Sequence, residues 1–354
     1  MPIDGMAQLA QLGQSVWLDN ISRSLLTTGR LRGLVQRGLC GLTSNPTIFD
    51  KAVESSGDYD AAIRTLKGKT AFEIYDALTI KDIQGAADYF AALHRSSNGL
   101  DGYVSLEVDP RLARNTGGTL AEATRLVTAV GRPNLMVKVP ATPEGFPAIE
   151  RLTAQGINVN VTLIFSLDQY ERAARAYLDG IKRCVRDPRS VRSVASVFVS
   201  RLDTAVDALL SAHPELKGQA AIANAAVIYA RYRELFFATG FNALARGTNP
   251  QRVLWGSTGT KDPAYPDTKY VTGLIARDTV NTIPEKTLQA FFDHGVVKEA
   301  FGSDATAAKA TLAGIGAAGV DLDAITARLL EEGVAAFVSS FEHMVATVEA
   351  KAKA

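Results

Sequence analysis

The sequence contains few of the residue types that build disulfide frameworks and metal centres. Its 354 residues include two cysteines, Cys40 and Cys184, and four histidines. Two cysteines make no disulfide framework, and neither residue type follows the spacing of metal ligands. The segment Gly314–Gly319 matches a dinucleotide fingerprint but follows a helical stretch instead of a strand. We therefore expect reduced thiols, no metal and no organic cofactor.

An excess of charge of one sign is also missing, because 38 Lys and Arg residues balance 37 Asp and Glu residues, for a formal net charge of +1. A near-neutral chain gives no support for binding to nucleic acid or to a membrane surface, although it leaves room for a local basic pocket. No apolar run approaches the ~20 residues of a membrane span. The segment Met1–Gly13 lacks the basic region and apolar core of a signal peptide. We expect a cytoplasmic protein with no nucleic-acid or membrane partner.

Short strand-like runs alternate along the chain with longer helical patterns such as Ser166–Arg186. This alternation predicts a parallel sheet, and the number of strands favours a closed (β/α)8 TIM barrel. We predict one domain over residues 1–354, with a helical insertion at about 51–97 and a helical C-terminal extension at about 302–354. The predicted strands lie near Val16–Asn20, Gly41–Asn45, Tyr103–Val108, Leu135–Pro140, Asn158–Phe165, Val194–Ser200, Arg252–Ser257 and Thr279–Ile283.

One charged residue stands inside a strand that has no room for a charge. Lys138 interrupts the apolar run Leu135–Pro140, which has the pattern of a short buried strand ended by proline. Lysine is almost never fully buried unless it is paired, and desolvation tends to depress the pKa of a buried ammonium. A neutral amine is a nucleophile, so Lys138 indicates a Schiff base formed with a carbonyl substrate.

The strands carry polar residues on one of their two faces. Side chains alternate between faces along a strand, which places Tyr103, Ser105 and Glu107 on one face and aliphatic residues on the other. A polar inner face predicts a barrel whose lumen holds a site, because a structural lumen is filled mainly by Val, Ile and Leu. The same phase groups Asn158 with Asn160 and Thr162, Asp19 with Trp17, Asn45 with Thr43, Lys138 with Met136, Ser196 with Phe198, and Ser257 with Trp255. We interpret both tryptophans as packing inside the lumen.

Taken in order, these segments resemble the transaldolase family, in its longer bacterial type. The resemblance runs from about residue 14 to about residue 300, and the ordered set is specific although no single motif is. It is carried by Leu42–Phe49, Ser105–Val108, Met136–Thr142, Asn158–Ser166, Phe198–Arg201, Leu254–Thr258 and Pro284–Thr287.

The resemblance implies four catalytic residues. By this similarity, Lys138 forms the imine with a ketose, and Asp19 takes the proton from the substrate hydroxyl when the carbon–carbon bond breaks. Glu107 and Thr162 hold a water that shuttles protons. These roles agree with the chemistry, since a protonated imine accepts carbanion charge and proton transfer needs carboxyls with separated pKa values.

The resemblance also implies a set of substrate-binding residues. Asn45 and Asn160 match the asparagines that bind substrate hydroxyls, while Ser196 and Arg201 match the phosphate-binding serine and arginine. Many relatives carry an arginine shortly after the strand-seven serine, where this chain has Lys261, and a solvated loop lysine is the competing interpretation. The full predicted binding set is Asn45, Asn160, Ser196, Phe198, Arg201, Ser257 and Lys261, with core packing as the alternative for Phe198.

The implied activity is that of a transferase of the pentose phosphate pathway. It would move a dihydroxyacetone unit reversibly from sedoheptulose 7-phosphate to glyceraldehyde 3-phosphate, giving erythrose 4-phosphate and fructose 6-phosphate. Sugar phosphates are then the partners, and we expect a monomer or homodimer. Two alternatives stay open: a lysine aldolase that releases the three-carbon unit to water, and a catalytically silent barrel that serves as a binding protein.

Overall fold

A computed structural model of the chain describes residues 5–237 and 247–353. Eight parallel strands pair in sequence order, and the first strand also pairs with the last, so the sheet closes into a barrel. The predicted (β/α)8 fold is confirmed, and each predicted strand overlaps an observed one. The strands are β1 Ser15–Asp19, β2 Gly41–Thr43, β3 Tyr103–Glu107, β4 Leu135–Pro140, β5 Val159–Ile164, β6 Ser193–Phe198, β7 Gln251–Gly256 and β8 Val280–Ile283.

Helices surround the barrel, and the helical segments predicted near residues 51–97 and 302–354 are present. The assignment of the whole chain to one domain stays a prediction. The helices are α1 Gly5–Gln11, α2 Arg23–Thr27, α3 Arg30–Gln36, α4 Pro46–Glu54, α5 Asp60–Thr65, α6 Ala71–Ser96, α7 Thr116–Val130, α8 Gly145–Ala154, α9 Leu167–Lys182, α10 Ser200–Asp207, α11 Ala220–Phe237, α12 Lys269–Thr272, α13 Glu285–His294, α14 Thr306–Ala317 and α15 Leu322–Lys353.

None of these helices, taken alone over the residues described, combines the length and apolar character needed to cross a membrane. The helices α14 and α15 meet that criterion only as a pair, and the pair is bent by 92° at its break.

Local sequence signals begin the helices that follow the site strands. Asn45 caps α4 by accepting a hydrogen bond from the backbone N–H of Ile48, and proline occupies the first turn. Ser166 and Gln169 form a capping box at the start of α9. Each of these helices begins after only two residues beyond its strand, β2 or β5, so little loop separates the strand end from ordered helix.

The barrel lumen is divided into an apolar lower half and a polar upper half. The lower half is a separate core in which Trp17 packs against Tyr103, with ring centroids 6.4 Å apart. Its members are Trp17, Tyr103, Met136, Val194, Leu254 and Val280. The polar residues lie further along the same strands, toward the carboxyl ends where barrel enzymes keep their sites.

The prediction that Trp255 packs inside the lumen is wrong. Trp255 belongs to the outer core and makes an edge-to-face contact with Phe301, with ring centroids 6.0 Å apart. The inward residues of β7 are instead Leu254 and Gly256. Ser257 still faces the cavity because its φ of 55° is left-handed and breaks the alternation of the strand.

Candidate active site

A cavity of about 290 Å³ opens among the carboxyl ends of the strands. Eight of the eleven predicted site residues line it, while Glu107, Asn160 and Thr162 are buried but are not among its lining residues. The lining residues from the predicted set are Asp19, Asn45, Lys138, Ser196, Phe198, Arg201, Ser257 and Lys261. The sequence-based grouping therefore corresponds to a real spatial cluster.

Lys138 projects from β4 into this cavity and is 4% exposed. Its Nζ lies 3.3 Å from Oε2 of Glu107 and donates a hydrogen bond of 3.1 Å to the carbonyl oxygen of Ser44. The ring of Phe337 lies on another side, with its centroid 5.6 Å from Nζ. The amine is therefore enclosed by protein, yet it borders a space that a small substrate can enter.

Glu107 lies on β3 directly beside Lys138, and the two residues are paired in the sheet register. Burial raises the pKa of the Glu107 carboxyl above its ordinary value, and the nearby Lys138 ammonium works in the opposite direction. Glu107 Oε2 is engaged by Lys138 and has no other partner among the described residues, and the buried hydroxyl oxygen of Thr162 has none at all among them. Both oxygens therefore keep unused hydrogen-bonding capacity next to the site.

Asp19 ends β1, and its carboxyl Oδ1 accepts a hydrogen bond of 2.8 Å from the hydroxyl of Thr43. The Thr43 hydroxyl is itself 2.6 Å from that of Thr282, so a short chain of hydroxyls orients the carboxyl. Asp19 is partly exposed to the cavity, but burial is still the largest influence and raises its pKa. Asp19 consequently binds a proton at higher pH than an ordinary aspartate, and its base form is lost as pH falls through that raised pKa.

Asn160 on β5 lies deeper in the site, between Ser196 of the adjacent strand β6 and Ser105 of β3 across the lumen. Its amide Nδ2 donates to the hydroxyl of Ser105 over 3.0 Å, and its Oδ1 accepts from the hydroxyl of Ser196 over 2.6 Å. Asn45 uses its side-chain oxygen in the α4 cap, which leaves its amide Nδ2 without a partner among the residues described. The site thus combines a fixed amide below with an available amide donor at the cavity wall.

The cavity also holds cations that no carboxylate neutralises. Arg201, Lys261 and Lys51 line it, and none of them has an ion-pair partner within the described part of the chain. Arg201 belongs to the first turn of α10, so it reaches the cavity from the helix that follows β6. Its guanidinium lies 5.5 Å from the ring centroid of Phe198. Unpaired cations in a cleft favour an anionic ligand.

Ten of the lining residues lie outside the predicted set, and four of these bear on the chemistry of the site: Thr43, Lys51, Thr282 and Phe337. The phase of β2 placed Thr43 inward with Asn45, but nothing connected its hydroxyl with Asp19. Lys51 and Phe337 come from helices, where no strand alternation applies. In the part of the chain that is described, no group of three or more His, Cys, Asp or Glu residues could hold a metal ion.

Comparison with known proteins agrees with this geometry. The family model described as Transaldolase/Fructose-6-phosphate aldolase matches residues 16–348. A transaldolase of Thermobifida fusca is 47% identical over 353 residues, covering 96% of each chain. One of Acidothermus cellulolyticus is 46% identical over 357 residues, covering 98% of this chain and 96% of its own. One of Neisseria gonorrhoeae is 44% identical over 347 residues, covering 96% and 98%. The chain therefore belongs to the Transaldolase/Fructose-6-phosphate aldolase family.

Proposed function

We propose that this chain is a transaldolase that transfers a dihydroxyacetone unit between sugar phosphates through a Schiff base on Lys138. The observation that carries the proposal is the position of this amine, buried in the lumen 3.3 Å from Glu107 and bordering the same cavity as Asp19. The names of the relatives support the same activity. The donors would be fructose 6-phosphate and sedoheptulose 7-phosphate.

The first half of the reaction makes the imine. The amine of Lys138 attacks the ketose carbonyl, and the carbinolamine loses water to give a protonated imine. This step requires protons to move on and off the oxygen that leaves. Glu107 and Thr162 suit that task through a bound water, because Glu107 contacts Lys138 and the buried hydroxyl of Thr162, on the adjacent strand β5, has no partner among the described residues.

The second half breaks and remakes the carbon–carbon bond. Asp19 takes the proton of the hydroxyl on the carbon that becomes the aldehyde. The carbon–carbon bond then breaks, its electrons move into the imine to give an enamine, and the aldehyde departs. An acceptor aldehyde then enters, the enamine carbon attacks it, and Asp19 returns the proton to the new hydroxyl. Water then adds to the new imine and the C–N bond breaks, which releases the product ketose and the free amine of Lys138. The hydroxyls of Thr43 and Thr282 hold the carboxyl in place for both directions.

The three-carbon unit is held by the amides and hydroxyls around Lys138. Asn45 offers a free amide donor at the cavity wall, while Asn160 and Ser196 form a hydrogen-bonded pair below. Ser196 was expected to bind phosphate, but its hydroxyl is engaged with Asn160, which favours contact with a substrate hydroxyl instead. Phe198 lines the cavity beside Arg201 and would border the sugar chain.

The phosphate group is expected at the cations of the cavity, with Arg201, Ser257 and Lys261 as its ligands. Replacing Arg201 with alanine should raise KM for fructose 6-phosphate on the order of 10- to 100-fold, because hydrogen bonds to charged groups are worth roughly 1.5–3 kcal/mol. Cleavage of unphosphorylated fructose provides the control, since this donor has no phosphate for Arg201 to bind and its KM should not change. An equal rise in KM with both sugars would contradict a phosphate-binding role.

Transfer is tested by a coupled assay with and without an acceptor aldehyde. With fructose 6-phosphate and erythrose 4-phosphate, we expect glyceraldehyde 3-phosphate to form continuously and little free dihydroxyacetone to appear. Without the acceptor, release of glyceraldehyde 3-phosphate should stop after about one equivalent per site, because the enamine then has no electrophile to attack. Continuous release of dihydroxyacetone without acceptor would instead support the aldolase activity that the family description also names.

The location and assembly of the protein are part of the same proposal. We propose that it acts in the cytoplasm on sugar phosphates, as a monomer or homodimer, without nucleic-acid or membrane partners. The near-neutral net charge of +1 gives no support for nucleic-acid or membrane binding. Cell fractionation and the molar mass in solution are the measurements that test these statements.

A further inference from the structure

The reacting lysine is covered by a residue from outside the eight strand–helix units. Phe337 lies in the middle of α15 and is 2% exposed. It lines the cavity, and its ring centroid is 5.6 Å from Nζ of Lys138. No other aromatic ring in the described residues is placed over this amine. The last helix of the chain therefore supplies the wall that faces the nucleophile.

Contacts on both sides of Phe337 hold α15 across the mouth of the barrel. On one side, Gly333 approaches the end of β5 so closely that a Cβ there would lie 2.8 Å from the side chain of Leu163. On the other side, the hydroxyl of Ser340 lies 2.8 Å from that of Thr47 in α4. An ion pair between Glu331 and Arg114 adds a third attachment. The helix that carries the ring is thus held in three places, by packing at one and by polar contacts at the other two.

This position matters because the proposed intermediate has two possible fates. After the first aldehyde leaves, the enamine on Lys138 can attack an acceptor, which is transfer. Alternatively, a water molecule in the cavity donates a proton to the enamine carbon, water adds to the imine that results, and the C–N bond breaks. That route releases dihydroxyacetone and the free amine, which is hydrolysis. Both routes end with hydrolysis of an imine, so access of water to the enamine carbon as a proton source decides between them.

We propose that Phe337 sets the partition between transfer and hydrolysis, by covering the enamine and keeping water away from its carbon until the acceptor arrives. The inference rests on the proposed Schiff-base function. An apolar ring next to Lys138 leaves no room and no polar partner there for a water molecule that could donate a proton to the enamine. Phe337 acts here as a positioning residue that selects the fate of an intermediate made by other groups.

The test compares two leucine variants on the same helix. Phe341 is as deeply buried as Phe337, but it packs away from the cavity against Tyr75, with ring centroids 5.1 Å apart. The assay supplies fructose 6-phosphate and erythrose 4-phosphate and measures the ratio of free dihydroxyacetone to transferred units. We expect F337L to raise this ratio about tenfold, because the smaller side chain leaves room for water beside the enamine, and a tenfold change in partition corresponds to about 1.4 kcal/mol. We expect F341L to leave it unchanged.

A third variant, F337Y, keeps the ring and should hold the ratio within about twofold of the unmodified protein. If F337L does not fold, F337M gives the same comparison with a side chain of similar volume. An unchanged ratio in F337L, or an equal rise in F337L and F341L, would overturn the inference. Failure of the unmodified protein to transfer at all would instead reject the proposed function, so the two failures are distinguishable.

Discussion

Replacing Lys138 with methionine is expected to abolish transfer, lowering kcat on the order of 10⁴-fold or more, as loss of a covalent nucleophile does in other enzymes. Methionine fills a similar volume but cannot form an imine. The three remaining cations of the cavity, Lys51, Arg201 and Lys261, have no strand position that brings them beside Glu107. Steady-state kinetics of glyceraldehyde 3-phosphate formation measure the loss.

Two controls make this result specific. Lys269 is also a largely buried lysine paired with a carboxylate, 2.9 Å from Asp203, but it does not line the cavity. K269M should therefore keep its turnover even if its stability falls. The double variant K138M/E107Q removes the charge that K138M leaves buried without a partner, and it should be folded and equally inactive. Turnover of K138M within about tenfold of the unmodified protein would reject the nucleophile assignment.

Replacing Asp19 with asparagine is expected to stop the reaction after the imine has formed. Loss of a general base typically lowers the rate by about 10²- to 10⁴-fold. The sharper outcome concerns the trapped species: borohydride reduction of D19N with fructose 6-phosphate should leave the whole phosphorylated hexose on Lys138. The unmodified protein, without acceptor, should carry only the three-carbon unit. Mass spectrometry of the intact protein distinguishes the two adducts.

The matched variant for this experiment is E107Q, because Glu107 is assigned to the proton transfers of imine formation. We expect E107Q to accumulate either adduct slowly, whereas D19N accumulates the hexose adduct at a normal rate. Asparagine can still accept the hydrogen bond from Thr43, so the position of the side chain is preserved. A three-carbon adduct in D19N would show that another group takes the hydroxyl proton.

Much of this site could be predicted from sequence because strands impose a period of two. That period placed Glu107, Lys138 and Asn160 in one lumen, and the sheet register aligns Lys138 with both of the others. The same rule failed for Trp255, which was assigned to the face of Ser257. The left-handed backbone of Ser257 breaks the alternation at the end of β7, so the two side chains do not share a face. Alternation holds only while the backbone stays extended.

What the sequence could not reveal are contacts between segments that are distant along the chain. Phe337 covers Lys138 from a helix about 200 positions later, where its apolar character predicts ordinary packing. The hydroxyl of Thr282 meets that of Thr43 only because β8 closes the barrel against β1. No local pattern carries either contact, so both required the folded chain.

The proposed activity depends on a covalent imine between Lys138 and a ketose inside the barrel. The most direct test is borohydride reduction of the unmodified protein with fructose 6-phosphate, followed by peptide mass mapping. We predict a dihydroxyacetone adduct on the peptide that contains Lys138, and its loss when excess erythrose 4-phosphate is present. An adduct on any other lysine, or continued turnover after borohydride treatment in the presence of the sugar, would contradict the account.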